Sequence, residues 1–137
     1  MIQVFCNKRG SGKTKRLIEL ANSQSQVIDG HVVYIDDDNR PMHSLRREIR
    51  FLTTSDFQLK DFESFYGYLC GIISGDYDIE QIYIDGLSNI IKDDLPNAAF
   101  LFSSLEDMSE QFNVDFFINI NEESCCQIPE FIKKYVA

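Results

Sequence analysis

The chain has 137 residues, 44% hydrophobic and 26% charged, a balance that fits one globular domain over residues 1–137 and excludes a disordered chain. No apolar run approaches the roughly 20 residues of a bilayer-spanning helix, and MIQVFCNKRG at the start lacks a signal peptide's apolar core, so a soluble cytoplasmic protein is expected. The net charge of -9 is unevenly spread: residues 1–50 carry nine basic against six acidic side chains, and residues 51–137 carry four against 16. That acidic half argues against direct nucleic-acid binding, which needs clustered Lys and Arg.

In chain order, IQVFC (2–6) reads as a short buried strand that runs into a glycine-containing turn. From Lys13 to about Ser23, the residues Leu17, Ile18, Leu20 and Ala21 recur near helical spacing. HVVYI (31–35) is a β-branched and aromatic run, a second strand ending in Asp36-Asp37-Asp38-Asn39. An arginine-rich passage beyond Pro41 leads to a weaker third strand, IRFLTT (49–54). Phe62, Phe65, Tyr66, Leu69, Cys70 and Ile73 mark one face of a helix, in which Gly67 and Gly71 are expected to allow close packing.

IEQIYID (79–85) is the fourth strand. Asp93, Asp94 and Pro96 form a helix start, and Ala98, Leu101, Phe102, Leu105, Met108 and Phe112 supply that helix's inward stripe. Phe100 falls off the stripe and is a candidate partner contact. VDFFINI (114–120) is almost continuously apolar, as strands buried on both faces are. A last amphipathic helix is expected from Pro129, with Ile128, Phe131, Ile132, Tyr135 and Val136 on one side. Alternation of strands and helices predicts an α/β fold with three α/β/α layers and a mostly parallel five-stranded sheet.

Cys6 and Cys70 lie in apolar stretches and Cys125 and Cys126 are adjacent; no CxxC occurs, and His31 and His43 are remote from the cysteines. No zinc site is expected, and reduced thiols are.

The chemistry concentrates in Asn7-Lys8-Arg9-Gly10-Ser11-Gly12-Lys13-Thr14, followed by Lys15 and Arg16. Five basic residues stand within nine positions with no carboxylate among them. Positive side chains in a first helical turn oppose the helix dipole, unless an anion binds there. The pattern follows G-x-x-x-x-G-K-[ST], Walker A, with Asn7 in place of the first glycine. Asparagine tolerates left-handed backbone better than most residues. In such a loop successive amides converge on phosphate oxygens, Lys13 reaches the β- and γ-phosphates, and the Thr14 hydroxyl ligates Mg²⁺. A second carboxylate, at the end of another strand, should hold the cation; Asp85 in IYIDG (82–86) has that place. The position after it, where many such enzymes carry a catalytic Glu, is Gly86. The water-orienting acid therefore falls among Asp36, Asp37 and Asp38.

GSGKT, VVYIDDDN and EQIYIDGLSNI together resemble the ATPase core of the RecA-like P-loop NTPases over roughly residues 1–121. The resemblance places a catalytic carboxylate on Asp38, one methylene shorter than the family's Glu, and the magnesium Asp on Asp85. It implies Mg²⁺ and ATP as cofactor and substrate, and catalytic roles for Lys13, Asp38 and Asp85. The strands and loops with which that group binds DNA have no counterpart. Type II thymidine kinases share a similar element order, but their zinc-bearing lasso and the Glu at position 86 are absent. Overall the chain resembles small stand-alone bacterial P-loop proteins.

The expected activity is slow ATP hydrolysis, activated by an unidentified protein partner or by self-association through an arginine such as Arg40, Arg46, Arg47 or Arg50. The alternatives are a nucleotide-dependent binding module without catalysis and a small-molecule kinase. A guanine-reading N-K-x-D signature is missing, because Asn119-Ile120-Asn121-Glu122 lacks both the Lys and the Asp.

Overall fold

A computed structural model describes residues 1–7, 12–121 and 128–137. Five strands, β1 (Ile2–Asn7), β2 (His31–Asp36), β3 (Ile49–Thr53), β4 (Ile79–Ile84) and β5 (Asp115–Asn121), form one sheet in the order β1-β5-β4-β2-β3. Every pairing is parallel. The expected mixed α/β fold is therefore present, and the sheet is wholly parallel.

Four helices connect or flank the strands up to β5: α1 (Lys13–Ser25), α2 (Phe62–Gly75), the single turn α3 (Leu87–Ile90) and α4 (Ala99–Phe112). Leu17 and Ala21 of α1 pack on Val32, Tyr34, Ile49, Tyr83 and Phe117, which all point to one face of the sheet. On the other face Phe62, Phe65 and Leu69 of α2 and Leu101, Phe102 and Leu105 of α4 join Val33, Ile35, Ile82, Ile84, Phe116 and Ile118. Period-two alternation thus feeds two cores, one on each side, which is why β2, β4 and β5 are buried almost throughout. On the α1 face the rings of Phe51, Tyr34, Tyr83 and Phe117 stack in a row across four strands, with centroid spacings of 6.4, 6.1 and 4.7 Å.

Local signals set the ends of helices. The Asp61 carboxylate accepts from the Ser64 amide at 2.8 Å and caps α2. Asn113, at φ 56°, stops α4 in the left-handed region that asparagine tolerates.

Two expectations need correction. The helix foreseen from Pro129 is only one turn, α5 (Glu130–Lys133), and the chain then extends. The Val4 amide donates to the Tyr135 carbonyl at 2.8 Å and the Ala137 amide to the Val4 carbonyl at 3.0 Å. Pairing of these residues with β1 shields an otherwise open strand edge, a tertiary gain that outweighs helical spacing in so short a segment. Gly67 and Gly71 do not bring helices together: both are exposed, and a Cβ on either would meet no atom within 4 Å. They only weaken α2. Gly71→Ala should raise stability by about 0.5–1 kcal/mol, read as a higher urea midpoint at unchanged m-value.

Candidate functional site

Strands β2 and β4 are neighbours whose connections leave in opposite directions, β2 to β3 and β4 to β5. A crevice opens at the carboxyl ends of strands where such a split occurs. Asp36 ends β2 and Asp85 follows β4, so both carboxylates are delivered to the split. The Asp85 amide donates to the Ile35 carbonyl at 2.9 Å, prolonging the ladder by one residue and fixing Asp85 there. Gly86 follows at φ 70°, a left-handed conformation that favours glycine and turns the chain into α3.

Helix α1 opens toward the same crevice. Gly12, also left-handed at φ 80°, precedes Lys13 and Thr14, and its carbonyl accepts from the Arg16 amide at 3.1 Å. The first turn has Lys13, Lys15 and Arg16 and no acid. Lys13 is buried at 9% exposure, whereas Lys15 and Arg16 face outward. Asn7 is the last residue of β1, paired with Asn121. Lys8, Arg9, Gly10 and Ser11 of the expected phosphate loop lie outside the described residues, as do Cys125 and Cys126.

Around Asp85 the predicted residues converge. The Thr14 hydroxyl donates to Asp85 Oδ1 at 3.3 Å across 71 positions of sequence. Two residues the sequence reading did not assign complete the arrangement. Asn119 Nδ2 donates to the same oxygen at 3.2 Å and to the Lys13 carbonyl at 3.2 Å. Tyr34 donates its hydroxyl to Asp85 Oδ2 at 2.8 Å, and burial, then the Asp85 charge, hold that phenol far above its ordinary pKa. Tyr34 therefore remains a donor at every physiological pH. Asn119, 1% exposed, is a polar residue inside an apolar strand, which is costly unless satisfied. That polarity is the one signal through which the sequence could have exposed its role.

Asn119→Ala should cost about 1–3 kcal/mol in urea unfolding, because the Asp85 carboxylate and the Lys13 carbonyl both lose a donor. Asn119→Asp should cost more, since it sets a second buried carboxylate against the first.

A cavity of about 240 Å³ is lined by Lys13, Thr14, Asp36, Asp37, Asp38, Arg40, Asp85 and Gly86. The three consecutive aspartates behave differently within it. Asp36 is 7% exposed and accepts from the Asp37 amide at 2.6 Å. Burial first, then contact with Asp37 and the Asp85 charge, push its carboxyl up to about 9. Asp38 is tied to Arg40, whose amide, Nε and Nη2 donate at 2.8, 3.0 and 2.7 Å. Those guanidinium bonds lower the Asp38 pKa. Of the four candidate arginines Arg40 lines the cavity, while Arg46 faces Glu48 at 3.5 Å.

One hydroxyl and several carboxylates suit a hard divalent cation that keeps some of its waters and takes phosphate oxygens as further ligands. Thr14 and Asp85, 3.3 Å apart, could serve as ligands of such a cation. A second cavity, about 320 Å³, adjoins Lys13 and is bounded by Phe5, Arg16, Leu17, Leu20 and Asn119. Among the described residues no helix is long and apolar enough to cross a membrane. Compared with known proteins, the chain matches no family model and no curated sequence.

Proposed function

We propose that this chain is a P-loop NTPase of the RecA-like kind that binds Mg-ATP at the carboxyl end of its sheet and hydrolyses it slowly in the cytoplasm. The observation that carries the reading is the bond from Thr14, at the start of α1, to Asp85, at the end of β4, beside the buried Lys13. In this reading Lys13 neutralises the phosphates, Thr14 and Asp85 hold Mg²⁺, and the apolar wall of the second cavity receives the base. Asp38 orients the attacking water once Arg40 swings from it toward the phosphate charge. Completion of the site by a protein partner or a second copy accounts for slow turnover of the isolated chain.

A second reading, nucleotide-dependent binding without turnover, draws support from the three bonds by which Arg40 occupies Asp38. Phosphate release from Mg-ATP separates the two. Under the enzymatic reading Asp38→Asn should lower turnover by tenfold or more while ATP binding persists. Equal release by parent and variant, with ATP still bound, would leave only the binding module.

A further inference from the structure

At the opposite pole of the sheet, where the strands begin, lies a second group of chemically able side chains. We propose that His31, Asp76 and Asp78 form a binding site for a borderline divalent metal ion, with zinc the best match to the donors. This site is separate from the nucleotide reading and does not rest on it.

His31 opens β2, and Asp76 and Asp78 lie between α2 and β4. One ligand atom from each falls within 4.8 Å of the other two. His31 Nδ1 is 2.6 Å from Asp76 Oδ2, across 45 positions of sequence. Main-chain bonds hold the set in place: the His31 amide donates to the Asp78 carbonyl at 2.8 Å, and the Asp78 amide to Asp76 Oδ1 at 2.9 Å. Asp76 Oδ2 is thereby turned toward the imidazole. Close by, Gly30 donates to Glu80 Oε2 at 2.7 Å. A Cβ on Gly30 would sit 2.5 Å from Glu80 Cγ and 2.6 Å from the Asp78 carbonyl oxygen, so the two turns meet in a contact that only glycine permits.

The electrostatics favour a cation from several directions. A groove of about 630 Å³ holds Asp29, His31, Asp78 and Glu80 in its wall, with no Lys or Arg among its lining residues. Arg50 adds a positive field at Asp76, whereas three acids, Asp29, Asp78 and Glu80, line the groove. Asp76 is also the C-cap of the 14-residue helix α2, and the end of α4, Phe112 and Asn113, lines the same groove. Two helices thus end beside the groove, and each carboxyl end is equivalent to roughly half a negative charge. Their convergence is independent of the acidic side chains.

The donor set then selects the ion. An all-oxygen set would suit magnesium or calcium, whereas an imidazole with two carboxylates suits zinc and its neighbours, at bond lengths of about 2.0–2.2 Å. On binding, the proton shared by His31 and Asp76 leaves and the metal takes its place; water fills the remaining positions.

The test is titration of zinc chloride into the chelator-treated full chain without nucleotide, followed by calorimetry, with cobalt(II) absorption as the spectroscopic readout. One ion per chain is expected, at least tenfold weaker in both His31→Ala and Asp78→Asn and unchanged in Asp85→Asn. The cobalt spectrum should lack a thiolate charge-transfer band, which excludes Cys125 and Cys126 as the ligands. The proposal is overturned if the parent takes up no zinc at millimolar concentration, if both variants bind as tightly as the parent, or if the thiolate band appears. Should His31→Ala fail to fold by circular dichroism, Asp78→Asn and the cobalt spectrum decide alone.

Discussion

Lys13→Ala should remove most of the thermal stabilisation that Mg-ATP confers. For a dissociation constant on the order of 10 µM, 1 mM nucleotide stabilises the folded chain by roughly 2.7 kcal/mol. In a domain of this size that raises the melting temperature by about 8 °C. Lys13 occupies the first turn of α1, where the helix dipole already disfavours a cation and no acid accompanies it. A polyphosphate reverses both penalties, so the ammonium contributes more to the bound state than to the empty one. Differential scanning fluorimetry with and without nucleotide isolates this difference, because a change in the empty variant cancels from the shift. The parent should gain several degrees and the variant one or two at most. An equal gain in both would place the nucleotide away from α1 and remove the basis of the proposed function. Retention of the zinc response in the same variant would show the two poles of the sheet to be independent.

The sheet was legible because its residues obey one rule repeatedly. Runs such as HVVYI and DFFINI are too apolar to face water on either side, and the helical spacings of α1, α2 and α4 elsewhere in the chain cover their two faces. The convergence of Thr14 and Asp85 was legible for a different reason: glycine at φ 80° and 70° on either side of the crevice, and a strand-ending Asp, are demands of geometry that few residue types meet. What escaped were contacts that arise only when distant strands become neighbours. β5, last in the chain, is inserted between β1 and β4, and this alone brings Asn119 against both Lys13 and Asp85. Tyr34 looks like any aromatic strand residue until β2 lies beside β4 and its hydroxyl reaches Asp85. The end of the chain misled for the same reason, since Tyr135 and Ala137 pair with β1, a strand more than a hundred residues away. Local periodicity carries no information about such edges.

Among the three consecutive aspartates, Asp36 yields the second large effect. Its carboxyl titrates near 9 in the folded chain, principally through burial, and at its ordinary value of 3.8 when unfolded. Between those values the folded chain holds a proton that the unfolded chain has released, so rising pH favours unfolding. The contribution is fully present below about pH 4 and is lost as pH climbs toward 9. Asp36→Asn keeps the acceptor for the Asp37 amide and removes the titration. The variant and the parent should therefore unfold alike near pH 4, and the variant should become progressively more stable toward pH 8. A full pKa unit is worth about 1.36 kcal/mol, but the site opens into a cavity that water reaches, so a gain on the order of 1–3 kcal/mol at pH 8 is expected. Urea midpoints at matched ionic strength give the comparison directly, and a constant offset across pH would show that Asp36 is ionised throughout. The destabilising placement has a functional reading. An acid that is costly while the crevice is empty becomes favourable once a divalent cation neutralises it, so adding magnesium nucleotide at pH 8 should stabilise the parent more than Asp36→Asn.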